Sequence, residues 1–315
     1  MKEFSAEKRR RLFDGKEVSA VLPYHSLEGN RAITQEKKGR LSVSGAQEKY
    51  GLIEENGQLR LNNNDEKGRF ILKPQSGDRR FMYREDMPAN EDLTMDIAEH
   101  VYDIPVAAHG LCFMGNGESA YITRRFDYDA AENKFKMEDF ASVAKLSKEQ
   151  NGEDYKYTAL SYEDCAQIIK DHCIAAQVEL LKFYRILIFN YLTCNGDAHA
   201  KNFSLIEYRE GDVRLAPGYD LLNTDMHLST GIFALEKGLF KEGTPILDTT
   251  PIGRPMFLEF GRRIGLNEKT IGRELDFFAA TYPVVRELIE GSLLSADGKK
   301  SYWSGYKYRL STMQR

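Results

Sequence analysis

The apolar run from Ile174 to Cys194 delivers the chain straight into a polar loop, Asn195-Gly196-Asp197-Ala198-His199-Ala200-Lys201-Asn202. Such a chain must fold so that a buried helix ends against side chains that water would otherwise solvate. Asp197 and Asn202 stand in D-x-x-x-x-N spacing, that of a kinase catalytic loop. An Asp there can take a proton from an incoming hydroxyl, and an Asn one short turn later can hold Mg²⁺ on nucleotide phosphates. Asp220 follows in the segment APGYDLLNT, where a second hard-oxygen metal ligand is expected. Plainer readings stand beside these. Asn195-Gly196-Asp197 is a good turn triplet, His199 can be a satisfied core histidine, and an Asp near a strand end often closes a turn.

Upstream, the pattern is one of strands. Segments 40–44, 49–54, 58–61 and 70–72 alternate or run apolar, with a tight turn at Glu55-Asn56-Gly57 and a polar loop over 62–68. Asn90 is expected to cap a helix over 91–102, with Leu93, Ile97 and Val101 on one face. Two more strands, 110–114 and 119–123, join through Gly115-Asn116-Gly117. From Ser161 onward helices dominate: one opening at Ser161, then 175–194, 256–264 and 267–289. The polar stretch Ser147 to Thr158 reads as a mobile loop. Strands first and helices after give an α+β fold, bilobal and protein-kinase-like, with a β-rich N-lobe over 1–125 and a helical C-lobe over 126–315. Residues after about 230 carry helical patterning and no legible chemistry.

Order along the chain gives Lys73 its interest. It ends the strand in FILKP, where a lysine neutralises nucleotide phosphates, although a surface lysine before a proline turn is the commoner case. Between strands lies Ser42-Val43-Ser44-Gly45-Ala46-Gln47-Glu48-Lys49; its backbone amides can cover phosphates, and Lys49 adds positive charge. With a single central Gly45 the signal is weak on its own, and an ordinary hairpin is the commoner case. Glu91 is the expected counter-ion of Lys73, with Glu99 as the alternative deeper in the same helix.

Bulk properties narrow the class. A formal charge of −4 and a pI of about 6.0 argue against sequence-independent nucleic-acid binding. Lys8-Arg9-Arg10-Arg11, the local exception, reads mainly as a solvated helix end, with a partner or nucleic-acid contact as the alternative. Four cysteines without a C-x-x-C pair point to a reducing compartment rather than a disulfide scaffold or zinc site. MKEFSAEKRRRLF has no apolar signal core, and Glu179, Lys182 and Arg185 interrupt the longest apolar run, so a cytoplasmic location without membrane contact is expected.

Seven blocks in order, LSVSGAQEK (41–49), FILKP (70–74), NEDLTMDIA (90–98), ITRRFDY (122–128), MEDFA (137–141), NGDAHAKNFSL (195–205) and GYDLLNT (218–224), resemble the HipA-like serine/threonine kinase toxins. The short length resembles their compact HipT-type members, whose first N-terminal subdomain is a separate small protein. The resemblance implies ATP and Mg²⁺ as cofactors, with Asp197 as catalytic base and Asn202 and Asp220 on the metal. Lys73 and Lys49 would contact phosphates within a binding set that includes Gly45, Ala46, His199 and Tyr219. The backbone at Arg124 and Phe126 would meet adenine, with Asp127 near the ribose. Ser42 and Ser44 match loop serines that such kinases autophosphorylate; a phosphate there adds about −1.5 to −2 charges where ATP phosphates must sit. It further implies a helix-turn-helix antitoxin, DNA contact only through that partner, and an aminoacyl-tRNA synthetase as substrate. One departure is plain: Asp220 is followed by Leu221-Leu222, not Phe-Gly.

Two other functions fit parts of the pattern. A small-molecule phosphotransferase of the aminoglycoside or choline kinase type carries a similar G-D-x-H-x-x-N loop, although the S-G-x-Q-x-K block counts against it. A catalytically silent kinase-like co-repressor would need no intact acidic set.

Overall fold

The computed structural model describes residues 3–25, 47–63, 66–129, 131–243 and 252–315. Ser42, Ser44, Gly45 and Ala46, with the strand expected over 40–44, lie outside the described residues. Helix α1 (Ala6–Phe13) precedes a five-stranded antiparallel sheet of β1 (Tyr50–Glu55), β2 (Gln58–Leu61), β3 (Phe70–Pro74), β4 (His109–Phe113) and β5 (Ser119–Arg124), in the order β2-β1-β3-β5-β4. The β1–β2 hairpin turns through Asn56 and Gly57, both with positive φ (53° and 77°), as a two-residue turn matched to strand twist requires. Leu52, Leu72, Cys112 and Ile122 pack under α1 residues Leu12 and Phe13 in a core of their own.

Helix α2 (Met87–His100) lies between β3 and β4 in sequence. Its Leu93, Ile97 and Ala98 belong to the larger, helical core. That core gathers around α7 (Ala176–Leu192), with α6 (Tyr162–His172), α8 (Arg254–Arg263), α9 (Glu268–Ala279), α10 (Pro283–Gly291) and α11 (Ala296–Met313). A second sheet, β6 (Lys136–Asp139), β7 (Ser204–Glu207) and β8 (Val213–Leu215), is three-stranded. The short helices α3 (Phe140–Val143), α4 (Lys148–Asn151) and α5 (Tyr155–Thr158) lie between β6 and α6. Among the described residues no helix is long and apolar enough to cross a membrane.

Four sequence expectations are corrected. Asn90 is not the cap of α2, which begins earlier, with Pro88 in its first turn. The Asn90 amide is used elsewhere: Nδ2 donates to Asn223 O (2.8 Å), and Oδ1 accepts from Asn223 N (2.9 Å). The helix expected over 267–289 is two helices, because Pro283 has no N–H to continue the ladder and Tyr282 is held extended (φ −108°, ψ 106°). Ser147 to Thr158 is not a loop throughout; it forms α4 and α5, and Tyr157 is buried. The basic cluster is a solvated helix end only in part: Arg10 is exposed and Arg9 pairs with the exposed Glu17, but Lys8 and Arg11 turn inward. Lys8 Nζ lies 3.0 Å from Asp92, 2.6 Å from Asp96 and 3.2 Å from His109 Nδ1, and Arg11 pairs with Glu99 and donates to Val106 O (2.9 Å). Asp92, Asp96 and His109 have metal-ligand spacing, but the Lys8 ammonium fills the space between them.

His227 completes the tie between α2 and the segment after Asp220. Its Nδ1 donates to Met82 O (3.0 Å) and its Nε2 accepts from Asn90 Nδ2 (2.7 Å), so the ring is neutral. Burial pushes its pKa below the ordinary value, against smaller pulls from Met82 O and Asp86. A depressed folded-state pKa contributes stability above about pH 6.5 that is lost as pH falls. We expect His227→Gln to flatten the loss between pH 7 and 5.5 by up to about 1.4 kcal/mol per pH unit relative to wild type, read by denaturant titration.

Candidate active site

Alternation in β3 sets the first group. Phe70 and Leu72 face the small core, so Lys73 points the other way, toward α2 and the helical lobe. Its ammonium lies 2.6 Å from Glu91 Oε1, contacts Asp220 Oδ1, and stands 5.3 Å from the centroid of the Tyr121 ring. Glu99 is therefore not the counter-ion: it lies two turns further along α2 and is held by Arg11. Gln47, buried, donates to Pro74 O (3.0 Å) and ties the end of the 42–49 loop to the end of β3. Two residues on, Lys49 reaches Asp220 Oδ2 (3.4 Å).

The second group comes from the end of α7. Cys194 takes a left-handed φ (55°), and Asn195 folds back on Asn190 through N–H to O (2.8 Å) and side chain to side chain (2.9 Å). Gly196 is required by close approach, because a Cβ there would lie 2.2 Å from Gly231 O and 2.3 Å from Thr230 Oγ1. Asp197 follows, 5% exposed, and its Oδ1 accepts from the Tyr157 hydroxyl (2.8 Å). His199 Nε2 is 3.0 Å from Lys156 Nζ. Asn202 Nδ2 is 3.4 Å from Asp220 Oδ2, while its Oδ1 is buried and, among the described residues, has no hydrogen-bond donor. Asp220 itself is left-handed (φ 54°), a conformation costing a non-glycine residue on the order of 1 kcal/mol, and Lys73, Lys49, Asn195 and Asn202 all hold it.

Burial and charge set the protonation states. Burial alone would raise the Asp220 pKa, but Lys49 and Lys73 hold it well below the carboxylate range. Burial opposes the Lys73 charge, yet Asp220 and Glu91 keep it protonated and raise its pKa. Glu91 is pushed up to about 7 by burial, with the Asp220 charge acting against the pull of Lys73. Burial and the Lys156 charge lower His199 to about 3, so its ring is neutral.

Of the other expected residues that are described, Tyr219 precedes Asp220, Arg124 ends β5, and Phe126 and Asp127 follow it. The Phe126 and Tyr219 rings lie 5.7 Å apart, and the Tyr219 hydroxyl bonds Ser204 Oγ (2.7 Å) and Lys201 O (3.1 Å). Asp127 is paired with Arg125 (3.0 and 2.6 Å). Arg124 donates its backbone N–H to Ala108 O (2.8 Å), and its guanidinium pairs with Asp14 (2.7 and 2.9 Å). Sequence reasoning missed Tyr157, Lys156, Gln47 and Asn195. Tyr157 and Lys156 gave no signal beyond an aromatic and a basic residue in a polar stretch.

A strand lysine paired with a helix glutamate, facing an Asp/Asn loop and a later Asp, defines a kinase-like α+β fold. The sequence model of the HipA-like C-terminal domain matches residues 41–281. The chain belongs to that family. A Haemophilus influenzae protein named "Putative kinase" is 29% identical over 288 residues, 86% of this chain and 81% of its own length. "Putative kinase Y4mE" of Sinorhizobium fredii is 30% identical over 194 residues, 59% of this chain and 43% of its own. Among solved structures, HipA of the Shewanella oneidensis MR-1 toxin–antitoxin system, determined with HipB and operator DNA, superposes with a TM-score of 0.65 at 21% identity, over 90% of this chain and 67% of that one. The Helicobacter pylori proinflammatory kinase CtkA superposes with a TM-score of 0.51 at 14% identity, over 81% and 90%. These two likenesses are of fold.

Proposed function

We propose that the chain is an ATP- and Mg²⁺-dependent serine/threonine protein kinase, acting as the toxin of a toxin–antitoxin module. The observation that carries this reading is the contact of Lys73 with both Glu91 and Asp220, beside a buried Asn202 Oδ1 that has no donor among the described residues. A carboxylate and an amide oxygen are the hard ligands Mg²⁺ takes, so the residues fit the ion. Bound Mg·ATP supplies a γ-phosphoryl group whose charge the metal partly neutralises.

The side chains divide the remaining tasks. Asp220 and Asn202 hold the metal. Lys73 and Lys49, now on Asp220, neutralise phosphate oxygens, and Glu91 keeps Lys73 aimed. Asp197 takes the proton of the attacking hydroxyl, its carboxylate oriented by Tyr157. The backbone at Arg124 and Phe126 would meet adenine, with Tyr219 lining the same site and Asp127 near the ribose. On the family resemblance, Gly45 and Ala46 would cover phosphates, and Ser42 and Ser44 would be the loop acceptors, where a phosphate would repel a second nucleotide.

The relative named as a kinase and the HipA neighbour solved with HipB and DNA support this reading. On the family resemblance, the partner is a small helix-turn-helix antitoxin, alongside a separate N-subdomain-like protein, and the substrate is an aminoacyl-tRNA synthetase.

The test begins with chain whose mass is unmodified. Incubated with Mg²⁺ and γ-labelled ATP, it is expected to gain phosphate at Ser42 or Ser44. Transfer only to an aminocyclitol or amino alcohol, without protein labelling, would instead identify a small-molecule phosphotransferase.

A further inference from the structure

We propose that Lys156 and Tyr157, adjacent on the one-turn helix α5, are positioning residues for the 195–202 loop. Lys156 fixes the His199 ring as the Nδ1–H tautomer, so that this N–H meets a phosphate oxygen, and Tyr157 fixes the Asp197 carboxylate. The inference rests on the phosphotransfer reading above.

The tautomer follows from donor chemistry. An ammonium group can only donate, and Lys156 Nζ lies 3.0 Å from His199 Nε2. Nε2 must therefore accept, which puts the ring proton on Nδ1. His199 is 3% exposed, and among the described residues its Nδ1 has no hydrogen-bond partner. Buried N–H groups are nearly always paired, so the acceptor here is one the described residues do not supply. Three residues later Asn202 Oδ1 is buried, and among the described residues it has no donor. One loop thus presents an orphaned donor and an orphaned acceptor. A phosphate oxygen satisfies the first and a hard cation the second.

Tyr157 acts on the same loop from the neighbouring position. It is 1% exposed, its hydroxyl donates to Asp197 Oδ1 (2.8 Å), and its ring meets the His199 ring edge-on (centroids 5.0 Å apart, 74° between planes). Its carbonyl accepts from Glu236 N (2.9 Å), which fastens the helix to the helical lobe. Two successive side chains therefore set the protonation pattern and the aim of two loop residues at once.

The full chain serves for the test, as wild type, Lys156→Met, Lys156→Arg and Tyr157→Phe. The ¹⁵N shifts of His199, assigned through His199→Gln, are expected to report Nδ1–H in wild type, Nε2–H or a mixture in Lys156→Met, and Nδ1–H again in Lys156→Arg. With Mg·ATP, Lys156→Met and Tyr157→Phe are expected to lower kcat by about 10- to 100-fold, with KM for ATP within about 3-fold. His199 remaining Nδ1–H in Lys156→Met, or wild-type kcat in both variants, would overturn the proposal. A folded wild type that transfers phosphate to nothing would instead defeat the phosphotransfer reading, and the ring shifts would still decide whether Lys156 sets the tautomer.

Discussion

Asp197→Asn is expected to lower kcat by about 10²- to 10⁴-fold while leaving Mg·ATP affinity within a few-fold of wild type. The substitution keeps the size of the side chain and an oxygen able to accept from Tyr157, whose hydroxyl is 2.8 Å from Asp197 Oδ1. The loop should therefore keep its shape. Asn195 sets that shape through its bonds to Asn190, and Gly196 through close packing against Gly231 and Thr230. What is lost is the capacity to take a proton in the transition state. Single-turnover phosphotransfer beside a calorimetric titration separates the two quantities. An unchanged transfer rate would remove Asp197 from the base role.

Lys73→Met should have the largest effect on both binding and stability. The lysine is buried between two carboxylates, and removing one partner of a buried charge set costs about 3–5 kcal/mol because the others are left unpaired. The penalty should depend on pH in a definite direction. The folded-state pKa of Glu91 is already raised, to about 7, and loses its main counter-charge in the variant. A carboxyl whose folded pKa lies above its unfolded value contributes stability that is full below about pH 4.5 and is lost as pH rises through the folded pKa. Lys73→Met should therefore be less stable relative to wild type at pH 8 than at pH 5.5. Denaturant midpoints at the two pH values check this. Adding Glu91→Gln should recover a large part of the loss at pH 8, a coupling that a double-mutant cycle reads directly. A double variant no more stable than Lys73→Met would show that the buried pair is not the origin of the effect.

Features set by near neighbours in sequence were legible. The Glu55-Asn56-Gly57 hairpin follows from a turn that needs positive φ. The placing of Lys73 follows from a period of two in FILKP, and the opening of α6 from Ser161 and its capping box with Asp164. Features set by distant partners were not. Asn90 looks like a helix cap, but its amide belongs to Asn223, 133 residues away. The basic cluster looks solvated until Lys8 is seen against Asp92, 84 residues on. Glu99 is as good a counter-ion as Glu91 on a helical wheel, and only the docking of α1 assigns it to Arg11. Tyr157 stands in a polar stretch and gains its meaning from Asp197, 40 residues later. The chemistry of the site was readable because much of it lies in one loop, whereas the shell that aims it comes from separate elements.

The central claim is that Lys73, Asn202 and Asp220 hold one magnesium-bound nucleotide. Calorimetric titration of the unphosphorylated chain with ATP, with and without Mg²⁺, tests it most directly when repeated on Asp220→Asn. Binding is expected to strengthen with Mg²⁺ in wild type and to lose that dependence in the variant. Nucleotide binding of equal strength in all four titrations would contradict it.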